Sequence, residues 1–146
     1  KQEEEIARII DRELTPRRLL ETHLRRMPVR LQPRFASLVA GAKQMEILGD
    51  LATELAMRWD GDEGLLRAYE SVEFLAPLYA GDWVEARGTI VEAGTTSRKI
   101  EFEIWKVAGA RADVSESAAE FLVEPVQTLR AVGTTVVPRE HQRFRH

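Results

Sequence analysis

Between residues 38 and 59 the apolar side chains Leu38, Ala42, Met45, Leu48, Ala52, Leu55 and Trp59 recur at steps of three and four. That period predicts one long amphipathic helix whose wide stripe needs burial along its whole length. From Leu65 the period changes. Residues 65–110 alternate apolar and polar side chains, punctuated by turn signals at "AGD" and "EAGTTS". After the small, polar loop "ARADVSESAAE", the run "PVQTLRAVGTTVV" supplies a last strand. A lone long helix among strands is expected to lie on a sheet. Gly41 and Gly49, on or beside the stripe, are the expected points of close approach. With a short strand at residues 27–31 ahead of the helix and four strands joined by hairpins behind it, the pattern predicts an α+β domain. An antiparallel sheet wraps around one central helix.

The chain of 146 residues suits one such domain, here residues 27–146, preceded by an N-terminal helical extension over residues 1–26. In that extension "KQEEEIARIIDREL" spaces Ile6, Ile9, Ile10 and Leu14 as a helix. Thr15 and Pro16 then form a cap and first turn for a second short helix carrying Leu19, Leu20 and Leu24. Arg17, Arg18, Arg25, Arg26, Arg30 and Arg34 stand against a single acid, Glu21, in this region, a solvated basic face or a surface for a phosphate, a nucleic acid or an acidic protein partner. The chain opens on Lys1 rather than Met, which leaves room for a longer parent.

The absence of cysteine excludes disulfide scaffolds, cysteine-based metal clusters and thiol catalysis. A net charge of −3 argues against a nucleic-acid partner, and no apolar run reaches the ~18 residues of a membrane span, so a soluble, cytoplasmic protein is expected. His23, His141 and His146 lie in the N-terminal segment or at the C-terminus, away from any serine-histidine-acid arrangement. Asp60, Asp62 and Glu63, interleaved with Gly61 and Gly64, read as turn chemistry at the helix end, and no metal site is expected.

At about 100° per residue, Lys43, Asp50 and Glu54 fall in one narrow wedge on the helix side away from the apolar stripe. Further along, "TTSRK" opens a strand with Thr96, Ser97, Arg98 and Lys99, hydroxyls and cations of the kind that hold phosphate. The segments "GDLATELAMRWDGDEGLLRAYESVEFLAPLYAGDWVE" and "GTTSRKIEFEIWKV" resemble the hotdog-fold β-aminoacyl-CoA ammonia-lyases, enzymes of the 3-aminobutyryl-CoA and β-alanyl-CoA type that serve amino-acid fermentation such as lysine degradation.

The resemblance implies a lyase with a coenzyme A thioester as substrate and no bound cofactor. It also implies a homodimer or a higher homo-oligomer such as a hexamer. Asp50 and Glu54 become the expected catalytic pair, and Ser37, Lys43, Thr96, Ser97, Arg98 and Lys99 the expected substrate contacts. Before the helix, where the family carries an acid, a histidine, a tyrosine and glycines, this chain reads "LQPRFAS". Two other readings therefore stand beside the lyase: a non-catalytic paralogue acting as a CoA-binding, regulatory or assembly domain, and an acyl-CoA thioesterase.

Overall fold

The computed structural model describes residues 21–28, of which only the backbone is considered, and residues 41–144. Five strands, β1 (Glu21–Pro28), β2 (Leu65–Phe74), β3 (Trp83–Ala93), β4 (Ser97–Ala110) and β5 (Ala119–Val136), form one sheet around the helix α1 (Gly41–Asp60). The spatial order is β1-β3-β4-β5-β2, and every pairing is antiparallel. The expected strand-helix-strands order holds.

Burial explains why the helix sits where it does. Leu48, Leu51 and Leu55 are fully buried, and the strands meet them with Val84, Ala86, Ile90, Ile100, Phe102, Ile104, Leu129 and Ala131. Each large side chain removed from water in this way stabilises the fold by about 1.5–3 kcal/mol. Ala42 lies at the exposed rim of the stripe, whereas Ile47 and Leu51 are inside it. Gln44, also buried, accepts a 2.9 Å hydrogen bond from the Thr128 hydroxyl and so ties the first turns of α1 to β5.

Several expectations need correction. Leu24 lies in β1 rather than in a helix, and β1 spans Glu21–Pro28 instead of residues 27–31, so the sheet begins upstream of the expected boundary at residue 26. Pro28 ends it naturally, since proline has no N–H to give a ladder. The helices expected over residues 1–20 lie outside the described residues. β2 and β3 do not form a hairpin: β2 pairs with β5, and the connection after Phe74 crosses from one sheet edge to the other side. Two register shifts in β2 space its inward residues Leu66, Tyr69 and Val72 three apart, a period that alternation alone would not reveal.

Close approach of helix and sheet is made by a glycine of the sheet. A Cβ on Gly88 would stand 2.8 Å from Leu55 Cδ1, whereas one on Gly49 meets nothing within 4 Å. Gly41 does face the sheet, against the Phe74 ring. Because Gly49 is mid-helix with open space beside it, Gly49→Ala should stabilise the protein by about 0.5–1 kcal/mol through lower chain entropy. Thermal melting at fixed subunit concentration checks this, and a loss of stability would defeat the picture of an open flank there.

Tyr69 supplies a pH prediction. Its ring packs on Phe102 at a centroid distance of 6.2 Å, and its buried hydroxyl has no hydrogen-bond partner among the described residues. Burial raises its pKa above the ordinary 10.0, so the folded state holds the proton where the unfolded state has lost it. Stability should therefore fall as pH rises above about 10, the window set by the unfolded value. Tyr69→Phe should flatten that fall while leaving the melting temperature at pH 8 unchanged or slightly higher. Equal alkaline slopes for parent and variant would defeat it.

Candidate functional site

The flank of α1 beside the buried stripe of Leu48, Leu51 and Leu55 carries the acidic pair. Asp50 is exposed and Glu54, one turn on, is half-buried. Thr53, beside them, turns its hydroxyl to the Gly49 carbonyl at 3.0 Å. Side chains four apart on a helix stand about 5–6 Å apart at Cβ, so the two carboxylates can address neighbouring atoms of one ligand lying along the helix. Lys43 shares the wedge but is paired with Glu46 at 3.4 Å, an exposed i,i+3 contact of small energetic weight. Ser37 lies outside the described residues, as does the rest of "LQPRFAS".

The second group of expected residues divides. Strand alternation sends adjacent side chains to opposite faces, so the two cations of "SRK" cannot act as one clamp. Arg98 points inward and is buried, while Lys99 points to the convex face and lies 3.4 Å from Glu70. Thr96 and Ser97 are half-buried in the turn between β3 and β4, where Gly94 donates its N–H to the Ser97 carbonyl at 2.8 Å. A depression of about 630 Å³ opens on one side of this turn, lined by Trp59, Gly94, Thr95, Arg98, Arg139 and Phe144. A second of about 570 Å³ opens on the other, with Ser97, Lys99 and Thr134 in its wall. Of the expected contacts, Ser97 and Lys99 line the second depression, Thr96 lines neither, and Arg98, at the wall of the first, has its guanidinium engaged within the protein.

Its partner is Asp60, read from sequence as turn material. Arg98 donates from Nε and Nη2 to the two Asp60 carboxylate oxygens at 3.0 and 2.9 Å, and from Nη1 to the carbonyls of Gly94 and Ser97 at 2.8 and 2.9 Å. The two side chains are 0% and 3% exposed. The rest of the acidic cluster is a turn as expected: Gly61 takes a left-handed φ of 70° and caps the helix, and Asp62 accepts the Gly64 N–H at 2.9 Å. What separates Asp60 from its neighbours is its place as the last helical residue. Inward residues 98, 100, 102 and 104 of β4 were the available signal for its partner.

The C-terminal tail closes over the same corner. Val137 donates its N–H to the Thr96 carbonyl, Arg143 donates its N–H to the Asp60 carbonyl, and the Gln142 amide donates to the carbonyls of Thr95 and Val137. Helix end, turn, β5 end and tail thus meet at one place. Asp50 and Glu54 stand about 15 and 9 Å back along the helix axis from Asp60, at ~1.5 Å per residue.

Comparison with known proteins gives the following. The thioesterase superfamily model matches residues 37–112. The 3-aminobutyryl-CoA ammonia lyase of Acetoanaerobium sticklandii is 51% identical over 106 residues, which cover 73% of this chain and 84% of that protein. The solved structure of β-alanyl-CoA:ammonia lyase from Clostridium propionicum superposes with a TM-score of 0.79 at 30% identity, covering 86% of this chain and 91% of that one. A hexameric hotdog-fold thioesterase of Campylobacter jejuni, at 16% identity and a TM-score of 0.65 over 82% of this chain and 86% of its own, shares the fold.

Proposed function

This chain belongs to the thioesterase superfamily and, within it, to the 3-aminobutyryl-CoA ammonia lyase family, and on that premise we propose that it is a carbon–nitrogen lyase that removes ammonia from, or adds it to, short β-aminoacyl-CoA and enoyl-CoA thioesters. The observation that carries the proposal is the 51% identity over 84% of the relative's length, joined to an acidic pair one turn apart on α1.

The chemistry assigns two proton tasks. One carboxylate takes the proton from the carbon next to the thioester carbonyl. The electron pair left behind becomes the C=C bond as the C–N bond breaks, and the protonated amine leaves as ammonia. The other carboxylate faces that amine and favours its cationic, departing form. Asp50 and Glu54 divide these tasks, as two carboxylates one turn apart on one side of α1. Ser97 and Lys99 border open space at the far corner, with Thr96 beside them in the turn, and are suited to the phosphates of coenzyme A.

Because Asp50 is exposed in a single subunit, water would reach the reacting atoms unless a second surface covers this face. A second copy of the chain is the natural cover, which makes the working unit a homodimer or a larger homo-oligomer. Among the described residues no helix is long and apolar enough to cross a membrane.

The test is crotonyl-CoA with ammonium and purified protein, followed by loss of the conjugated enoyl-thioester absorbance and by release of free thiol. Ammonium-dependent loss without thiol release supports the lyase. Thiol release independent of ammonium would replace it with a thioesterase, and neither signal over a wide enzyme range would leave a CoA-binding domain without chemistry on this substrate.

A further inference from the structure

The corner where Asp60 meets Arg98 does more than bury a pair of charges. Four of the five guanidinium donors are used, two on the last residue of α1 and two on carbonyls within the β3–β4 turn itself. The Asp60 main chain in turn accepts the Arg143 N–H of the tail, and the tail's Gln142 holds the Thr95 carbonyl. Arg98 is therefore the bracket between the helix that carries Asp50 and Glu54 and the turn that carries Thr96 and Ser97, with Lys99 next in the strand.

We propose that Asp60 and Arg98 are positioning residues: their ion pair fixes the distance and angle between the acidic face of α1 and the turn beside which coenzyme A binds, so that the thioester end and the phosphate end of one ligand are held in register. The inference rests on the ammonia-lyase reading for its ligand and on the structure for the bracket. The specific chemistry of arginine matters here. A lysine at 98 keeps the charge but has no planar fork to span two carboxylate oxygens and two carbonyls at once.

A purely stabilising role and a positioning role separate in one design. Replacing a buried ion pair by apolar residues of similar volume is often neutral or stabilising, so Asp60→Leu combined with Arg98→Met should fold and melt close to the parent while the bracket is gone. Two readouts are taken on the intact oligomer: hydrogen exchange of the amides of residues 94–97 and 137–143, and calorimetric binding of free coenzyme A, with KM and kcat for crotonyl-CoA where turnover is present. The expected result is exchange at least tenfold faster in both segments, coenzyme A binding about tenfold weaker, and KM raised far more than kcat is lowered. Arg98→Lys, retained as a second variant should the double replacement fail to fold, should show the same direction to a smaller degree.

A folded variant with unchanged exchange overturns the bracket, and faster exchange with unchanged coenzyme A affinity overturns its positioning role. If the parent protein itself neither binds coenzyme A nor turns over the thioester, the lyase reading has failed instead, and the exchange measurement alone still decides whether the pair locks the turn.

Discussion

Asp50→Asn should lower ammonium-dependent consumption of crotonyl-CoA by roughly 100- to 10,000-fold, the range spanned by loss of a positioned general acid or base. The side chain is exposed and sits on the face of α1 away from the core, so the substitution leaves the melting temperature within about 2 °C of the parent. Glu54→Gln should fall in the same range. If the carboxylates serve two proton transfers of one step, the double variant will be little worse than the poorer single one, because groups that act as a unit do not give additive losses. Glu46→Gln is the control, an exposed acid on the same helix that is paired with Lys43, and it should keep turnover within about twofold of the parent. Retention of more than about a third of the activity by both Asp50→Asn and Glu54→Gln would move the chemistry to other residues.

The largest expected effect on stability belongs to Asp60→Ala. Removing one member of a buried, hydrogen-bonded pair leaves the other charge in the interior and costs about 3–5 kcal/mol. For a chain of this size that corresponds to a fall in melting temperature of about 10 °C or more. The comparison is Glu46→Ala, which breaks an exposed pair of the same helix and should cost less than about 1 kcal/mol. Both are measured at one subunit concentration, because association contributes to apparent stability. A cost below about 1 kcal/mol for Asp60→Ala would mean that the Arg98 guanidinium reaches water when its partner is removed.

The contrast between these two acids shows what a sequence can and cannot disclose. The helix was legible because its stripe is long and periodic, and strands β3 and β4 because they alternate cleanly around recognisable turns. The acidic wedge followed from helix geometry alone; in the structure Asp50 is exposed, whereas Glu54 is half-buried with its Oε2 shielded from water. Asp60 was not separable from Asp62 and Glu63, since local turn chemistry explains all three equally well until a residue 38 positions away supplies the guanidinium. In the same way Arg98 and Lys99 look alike as neighbours in a basic pair. Strand alternation decides that one is structural and the other open.

The remaining misreadings were also long-range. Leu24 fits a short helix by spacing, but eight residues of backbone pairing with β3 determine β1. Gly49 looked like the contact point of helix and sheet because it lies in the helix, whereas the approach is set by Gly88, which no helical pattern could single out. β2 seemed bound to pair with its successor, and two register shifts hide which of its residues face inward.

The placement of β2 beside β5 has a consequence for how the protein is made. Among the described strands β2 is hydrogen-bonded only to β5, so it emerges with its backbone unpaired and must wait for Ala119–Val136 before the sheet is complete. Non-local pairing of this kind slows folding and exposes nascent surface to aggregation. A message truncated within β5 would thus yield a chain that contains the helix and both candidate carboxylates yet lacks the strand that pairs the backbone of β2 and holds Leu66, Tyr69 and Val72 against the core. Such a fragment is a substrate for quality control rather than a smaller enzyme.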